Sequence, residues 1–375
     1  MKSAITGVRN AVSHAVYRGV VKPICFRFDP ELVHDFISSI GVGLGMTAIG
    51  RLLTRAAFGY SHKQLEQDVL GIHFKNPVGL SAGFDKNGKL TDIMPSVGFG
   101  FVEVGSVTGS PCAGNPKPRL WRVPQAKSLL VYYGLANDGA AVIASRLSQK
   151  RFAIPVGVSV AMTNCKTTLD ISEAVEDYAR AFETVKELAS YITVNISCPN
   201  TVGGQPFLNG DHLNRLLTRL DSIPTAKPVF IKLSPDMAMT DVDSLLEIAA
   251  GHRVQGIICT NLTKRRVAQG LQDGMNRKGG LSGKAVNSEA DALLAHVYRT
   301  AGKRFVIVGV GGIFSAEDAY RKIRLGASLV QLITGMIFEG PQLISDINLG
   351  LVRLLKRDGL TSIRDAIGID NPLRN

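Results

Sequence analysis

The chain has 375 residues, of which 45% are hydrophobic and 20% are charged, as in a globular protein of one large or two ordinary domains. Its formal net charge of +12 favours anionic partners, but it lacks zinc-finger spacing and RNA-binding signatures, so we expect no nucleic acid partner. Five scattered cysteines without a CxxC pair argue against a disulfide framework and a zinc site; we predict no metal and a reducing compartment.

Residues 1–65 are predicted to form a helical extension. The first 28 residues contain no acid but five basic residues, Lys2, Arg9, Arg18, Lys22 and Arg27. The apolar stretch "FISSIGVGLGMTAIG" (36–50) follows, and it is too short to span a membrane as one helix. We predict helices that lay an apolar face on an anionic membrane surface, with their basic residues toward the headgroups. The alternative is a helical cap whose basic face is merely solvated.

After residue 70, short apolar runs alternate with amphipathic stretches. The runs are nearly continuous, which is typical of parallel strands buried on both faces. They predict strands at 76–83, 101–108, 155–161, 191–198, 228–235, 256–263, 305–313 and 328–336. Capped helices are predicted at 170–190, 240–252 and 315–326, with Ser172 as the cap of the first and Gly326 closing the last.

Eight strand–helix units over about 300 residues predict an α/β fold, a (β/α)8 TIM barrel occupying residues 66–375. An open doubly wound sheet is the alternative. Such a sheet would place a glycine-rich motif after its first strand, whereas "GVGG" follows the seventh.

Polar residues and glycines fall at the predicted carboxyl ends of these strands, where TIM barrels place their chemistry. They are Lys86, Ser106, Ser159, Asn195, Cys198, Lys232, Thr260, Asn261, Gly311, Gly312, Thr334 and Gly335. The glycines after strands seven and eight occupy the position where barrels bind phosphate through backbone N–H groups. The rim therefore predicts a phosphorylated ligand, and on spacing alone FMN and a sugar phosphate fit equally well.

Several segments resemble the dihydroorotate dehydrogenases over about residues 65–345. They are "NPVGLSAGFDKNG" (76–88), "GFGFVEVGSVT" (98–108), "GNPKPRLWR" (114–122), "NISCPNT" (195–201), "KGGLSGK" (278–284) and the stretch 305–341. The extension, with "FDPELVHDF" (28–36), resembles the membrane-associated class 2 members, which pass electrons to a quinone.

The resemblance implies oxidation of dihydroorotate to orotate in pyrimidine (UMP) biosynthesis, by a peripheral protein on the cytoplasmic side of the inner membrane. It implies FMN bound by Ala82, Gly83, Lys86, Ser106, Ser159, Asn195, Lys232, Thr260, Gly283, Gly312, Ile333 and Thr334. It implies substrate bound by Lys86, Gly134, Leu135, Asn195, Asn200 and Asn261.

Cys198 occupies the family's base position, between Asn195 and Asn200. The resemblance implies that it takes a proton from the substrate face opposite the flavin. Loop 199–210, with Gly203 and Gly204, is predicted to close as a lid. Class 2 enzymes usually carry serine as the base and class 1 enzymes cysteine, so this chain combines a class 2 extension with a class 1 type of base.

Other positions depart from the family as well. Val131 stands where class 2 members have a substrate-binding asparagine, and Ser159 where the family has a flavin-contacting asparagine. Leu262 replaces a small hydroxyl residue, and Ile333 replaces a tyrosine. The less polar pocket supports an alternative, an FMN oxidoreductase acting on another cyclic amide or enone, or one using a non-quinone acceptor. A non-catalytic flavin-binding or membrane-surface protein is a third hypothesis, motivated by the basic N-terminus.

Overall fold

The computed structural model describes residues 2–266 and 277–373. Within them the strands are, in chain order, β1 (Gln67–Val69), β2 (Ile72–Phe74), β3 (Val78–Leu80), β4 (Phe101–Val107), β5 (Leu120–Val123), β6 (Ser128–Val131), β7 (Val156–Val160), β8 (Tyr191–Asn195), β9 (Val229–Lys232), β10 (Gly256–Cys259), β11 (Gly280–Gly283), β12 (Val306–Val310) and β13 (Leu329–Leu332).

Eight of these strands form a closed parallel barrel in the order β3-β4-β7-β8-β9-β10-β12-β13. The ring closes where β13 pairs with β3, with Val330 opposite Val78. Every residue of β4, β7, β8, β9 and β10 is buried, because side chains face either the barrel interior or the surrounding helices. The predicted TIM barrel and its eight strands are confirmed, and the open sheet is excluded.

The helices are α1 (Lys2–Val16), a π-helical turn (Tyr17–Val21), α2 (Lys22–Cys25), α3 (Pro30–Met46), α4 (Ala48–Phe58), α5 (Met94–Val97), α6 (Ala140–Ser148), α7 (Ile171–Val185), α8 (Gly210–Asp221), α9 (Met239–Ala250), α10 (Asn287–Ala301), α11 (Ala316–Arg324), α12 (Thr334–Glu339) and α13 (Leu343–Arg357).

The three predicted helices are α7, α9 and α11, but their caps differ partly from prediction. Asp170, not Ser172, caps α7, because its carboxylate accepts hydrogen bonds from the backbone N–H groups of Ser172 and Glu173. Ala238 precedes α9 and offers no side-chain cap, so the predicted cap there was wrong. Ser315 does cap α11, and Gly326 follows its end at a φ of 125°.

A three-stranded antiparallel sheet, which the sequence did not predict, contributes to the wall of the cavity at the barrel's carboxyl end. β6 lies in its centre, pairing with β5 on one side and with β11 on the other. Alternate residues of β6, Leu129 and Val131, face the cavity.

The N-terminal helices lie outside the barrel, and α1 is tied to α13. Arg9 Nη2 donates to Ser345 Oγ at 2.7 Å, and Asn10 Nδ2 donates to Asp346 Oδ1 at 2.7 Å. Lys22 Nζ donates to the Phe338 carbonyl at 3.0 Å. Two of the predicted headgroup-facing residues, Arg9 and Lys22, are therefore engaged within the protein. The proposed division of the chain between residues 65 and 66 stays a prediction.

The same helices expose large apolar side chains. They are Ile5, Val8, Val12, Val16, Val20, Val21, Ile24, Phe28, Leu32, Phe36, Ile37, Ile40, Leu44, Met46, Ile49, Leu52 and Leu53. In the described residues no single helix has the length and apolarity to cross a membrane. The pair α3 and α4 meets that criterion only when taken together, across a bend of 114°.

Candidate active site

A cavity of about 1310 Å³, including its open mouth, lies at the carboxyl end of the barrel. The strand ends, the β5-β6-β11 sheet and His34 of α3 form its walls. All but one of the predicted site residues line it: Ala82, Gly83, Lys86, Ser106, Gly134, Leu135, Asn195, Cys198, Asn200, Lys232, Thr260, Asn261, Gly283, Gly312, Ile333 and Thr334. The barrel thus brings together residues spread over more than 250 positions of the chain.

Ser159 is the exception, since it is fully buried and does not line the cavity. Its Oγ is hydrogen-bonded to Ser106 Oγ at 2.8 Å, and Asn195 Nδ2 donates to that same Ser106 oxygen at 2.8 Å. The shorter serine side chain supports Ser106 from behind, where the family's asparagine was expected to reach a flavin. Ser159 therefore lies behind the cavity wall, and its predicted contact with the cofactor stays a prediction.

Asn195 and Asn261 are joined on the wall of the cavity. Asn261 Nδ2 donates to Asn195 Oδ1 at 3.0 Å and to Ser197 Oγ at 3.1 Å. The main chain of Asn195 is fixed as well, because the buried Tyr178 hydroxyl donates to its carbonyl at 2.8 Å. These bonds fix the orientation of the two amides, which suits recognition of a planar polar ring.

Two lysines bring positive charge to the cavity. Lys232, at the end of β9, is buried and donates to Ser81 Oγ at 3.3 Å, and its burial lowers its pKa. Lys86 lies with its Nζ 4.0 Å from the centre of the Tyr133 ring. Burial lowers the pKa of Lys86 to about 8, while the nearby Asp35 and Glu31 of α3 act in the opposite direction. Both lysines can meet an anionic ligand while they are protonated.

Cys198 follows β8 and is partly exposed to the cavity. Burial of the sulfur raises its pKa to about 11, while the Asn200 N–H, Lys264 and Lys232 act to lower the pKa. The Cys198 thiol is therefore mostly protonated at neutral pH. A thiol must lose its own proton before it can accept one from a ligand.

The amide of Asn200 is fixed against the β6 strand, since Nδ2 donates to the Val131 carbonyl at 2.9 Å. Within the described part of the chain, its Oδ1 is the side-chain atom left to accept from a ligand N–H. Val131 and Leu262 also line the cavity, and both add apolar surface beside Asn200 and Asn261. This is where the sequence departs from the family pattern.

Tight glycine turns form the opposite side of the cavity. A Cβ on Gly283, at a φ of 83°, would lie 2.5 Å from the Lys127 carbonyl oxygen, and one on Gly312 would clash with the Asn287 side chain. Gly311 and Gly312 both have positive φ, at 104° and 75°. Ser282 Oγ and Thr334 Oγ1 are hydrogen-bonded at 2.8 Å beside them. Bare backbone and hydroxyl groups in this arrangement are suited to hold a phosphate.

His34 and Tyr133 line the cavity but were not predicted as site residues. His34 stacks edge-on against Phe84, with ring centres 4.8 Å apart. Burial, together with the charge of Lys86, lowers the pKa of His34 to about 4, so it is neutral at physiological pH. His34 lies within "FDPELVHDF", a segment that resembles the class 2 members, whereas Tyr133 lies outside the segments of resemblance. The sequence assigned neither residue to the cavity.

The glycine turns lie on one side of the barrel mouth, and a thiol between two amides lies on the other. This arrangement is typical of a TIM-barrel enzyme that binds a phosphorylated cofactor beside a polar substrate ring. The family model "Dihydroorotate dehydrogenase" matches residues 64–355. The chain belongs to the dihydroorotate dehydrogenase family, which is flavin-dependent.

Similar proteins cover almost the whole chain. The dihydroorotate dehydrogenase (quinone) of Natronomonas pharaonis is 38% identical over 351 residues, covering 94% of this chain and 98% of the relative. The protein of the same description from Gloeobacter violaceus is 38% identical, with the same coverage. The ligand-free crystal structure of DHODH from Eimeria tenella has a TM-score of 0.83 at 28% identity, covering 92% of this chain and all of that one.

Proposed function

We propose that this protein is an FMN-dependent dihydroorotate dehydrogenase that oxidises dihydroorotate to orotate, a step of pyrimidine synthesis, and passes the electrons to a quinone. The relatives of this description match along 98% of their own length and 94% of this chain. The observation that carries the proposal is the Cys198 thiol, which lies between Asn195 and Asn200 in the wall of a cavity that also contains Lys86.

The residues present fit FMN. The glycine turns at Gly283 and Gly312, with Thr334, would hold the phosphate, and Lys232 and Ser106 would contact the ring system. The bound flavin supplies the hydride acceptor. Substitution of either glycine would distort the turn, because a Cβ at Gly283 would clash with the Lys127 carbonyl and one at Gly312 with the Asn287 side chain.

The chain's own residues bind and orient the substrate and remove its proton. Lys86, when protonated, pairs with the carboxylate of dihydroorotate. Asn200 and Asn261 hydrogen-bond the ring amides. Cys198 Sγ, once ionised, accepts the proton from one ring carbon as the neighbouring carbon loses a hydride, so the products are orotate and a protonated thiol.

The test is an anaerobic titration of purified yellow holoprotein with dihydroorotate. The proposal requires the flavin absorbance to bleach and orotate to appear in equal amount. A flavin that stays oxidised at saturating dihydroorotate, in protein that binds FMN fully, would contradict the substrate assignment.

A second candidate function is oxidation of another cyclic amide or enone, and the apolar side chains of Val131 and Leu262 in the cavity favour it. Complementation separates the two. The protein should restore growth to cells unable to oxidise dihydroorotate. If the protein is well expressed but does not restore growth, and if a compound with a less polar ring bleaches its flavin, the second function is favoured.

We infer that the protein binds peripherally to the cytoplasmic side of the inner membrane through the exposed apolar side chains of α1 to α4. The exposed Arg18 and Arg27 would add attraction to anionic lipid. Co-sedimentation with anionic vesicles should weaken with salt and disappear when residues 1–60 are removed. The shortened protein should still reduce its flavin with dihydroorotate and lose quinone turnover; full quinone turnover would contradict the inference.

A further inference from the structure

Asn115 lies outside the cavity, yet its side chain reaches the loop that carries the base. Nδ2 donates to the Asn200 carbonyl at 2.9 Å and to the Tyr132 carbonyl at 3.1 Å. Oδ1 accepts from Asn164 Nδ2 at 3.2 Å. One amide thus joins three segments that are distant in the sequence.

Asn164 extends the connection further along the predicted lid. Its Oδ1 accepts from the Val202 N–H at 2.8 Å, and its Nδ2 also donates to the Gly134 carbonyl at 3.2 Å. The two asparagines therefore hold residues 200 and 202 against residues 132–134. We refer to Asn115 and Asn164 together as the asparagine clamp.

The clamp is itself held tightly. Gly134 has a φ of 63°, and a Cβ there would lie 2.6 Å from Asn115 Cγ, so the amide packs directly on the glycine backbone. Arg119 Nη1 donates to the Asn115 carbonyl at 3.0 Å, and Arg119 is paired with Glu31 at 2.9 Å. Packing against Gly134 therefore positions the Asn115 side chain, and the Arg119–Glu31 pair anchors its main chain.

Within the described part of the chain, three of the four polar groups of Asn200 have a partner, and its Oδ1 is the group left for a ligand. Its carbonyl accepts from Asn115, its Nδ2 donates to the Val131 carbonyl, and its N–H faces the Cys198 sulfur. Loss of the first bond would free the residue to turn, and that would move both its substrate-facing amide and the N–H beside the thiol.

We propose that Asn115 is a positioning residue for proton abstraction: it holds Asn200, and through Asn200 the Cys198 thiol, in place against the substrate. The role in the reaction rests on the proposed function, whereas the ordering of the loop does not.

The experiment compares flavin-loaded wild type with Asn115→Ala and Asn115→Asp. Three quantities are measured: hydrogen–deuterium exchange of peptides covering residues 196–206, the Kd of orotate from the flavin absorbance shift, and the rate of flavin reduction at saturating dihydroorotate. Asn115→Ala should speed exchange, weaken orotate binding and slow reduction by about tenfold each, the value of roughly one lost hydrogen bond.

Asn115→Asp is the sharper variant. It keeps the size of the side chain but sets a carboxylate against two carbonyl oxygens, so the effects should exceed those of alanine. If Asn115 only filled space against Gly134, aspartate would be the milder change. Should neither variant fold, Asn164→Ala, which keeps both donated bonds of Asn115, should show smaller changes of the same sign.

Asn76 offers a matched control at the start of β3, away from the cavity. Its Nδ2 donates to the Gly98 carbonyl at 3.1 Å, and its Oδ1 accepts from the Val78 N–H at 3.0 Å. Asn76→Ala should lower Tm and leave loop exchange and orotate binding unchanged. Loop exchange in the Asn115 variants equal to that of wild type would overturn the proposal. Wild type that fails to bind orotate would instead overturn the proposed function, with the exchange result still testing the clamp.

Discussion

The reaction should show two ionisations, one from Cys198 and one from Lys86, and the structure gives their order. Burial raises the pKa of Cys198 to about 11 and lowers that of Lys86 to about 8. The base must be deprotonated and the lysine protonated for both to act. Between these two pKa values the fraction of thiolate rises with pH while the fraction of charged lysine falls.

The magnitude follows directly. At pH 7 roughly one thiol in 10⁴ is ionised if its pKa is about 11, compared with roughly one in 100 for an ordinary thiol of pKa about 9. Below pH 8 the second-order rate constant for flavin reduction should therefore rise about tenfold per pH unit. Between about pH 8 and 11 it should be flat, because each gain in thiolate is matched by a loss of charged lysine.

The assay is anaerobic stopped-flow reduction of the bound flavin by dihydroorotate from pH 6 to 10. Lys86→Met, which keeps the stem of the side chain beside Tyr133, should lower the rate and remove the break at pH 8. A rate that is already flat between pH 6.5 and 8 would refute a raised thiol pKa. A wild-type rate that climbs unchanged through pH 9 would refute the role of Lys86.

Three further results are expected. Lys86→Met should also weaken orotate binding about 10- to 100-fold at pH 7 in a flavin absorbance titration, because a charge-assisted bond is lost; an equal Kd would contradict this. Burial would raise the pKa of Glu31, but hydrogen bonds from Arg119 and Lys117 lower it, so Glu31→Gln should reduce the free energy of unfolding by roughly 1–3 kcal/mol at pH 7. Because the pKa of Glu31 is lower in the folded than in the unfolded protein, its carboxylate stabilises the fold above the unfolded pKa, and this stabilisation is lost as pH falls. In denaturant titrations the difference in free energy of unfolding between wild type and Glu31→Gln should therefore shrink toward pH 3. Ile49→Asp, at a side chain 71% exposed, should reduce vesicle binding by about tenfold or more with the free energy of unfolding changed by less than about 0.5 kcal/mol; unchanged sedimentation would argue against membrane contact there.

The barrel could be predicted from the sequence because its strands are buried on both faces. Apolar runs such as "FVIVGVGGI" contain no charged residue, and the runs at 155–161, 228–235 and 305–313 are each followed by a predicted helix. The antiparallel sheet could not be predicted, because its strands are short and pair over a long sequence separation. Its strands have four residues each, and β11 pairs with β6 although about 150 positions separate them, so no local pattern links them.

The part of the candidate site that lies at strand ends could be predicted from the sequence. Asn195, Lys232 and Thr260 lie at strand ends, and strand position alone places them in the cavity. Asn115 and Asn164 could not be found in this way, since they act through loops whose contacts depend on the closed barrel. Ser159 shows the converse limit: a strand-end position does not say whether a short side chain reaches the ligand.

The most direct test of the account is the rate at which dihydroorotate reduces the flavin in anaerobic wild-type and Cys198→Ala proteins, both fully loaded with FMN. Wild type should bleach and release orotate, and Cys198→Ala should bleach at least ~100-fold more slowly while it still binds orotate, because it lacks the base but keeps the binding residues. A flavin that remains oxidised in wild type, or equal rates in the two proteins, would contradict it.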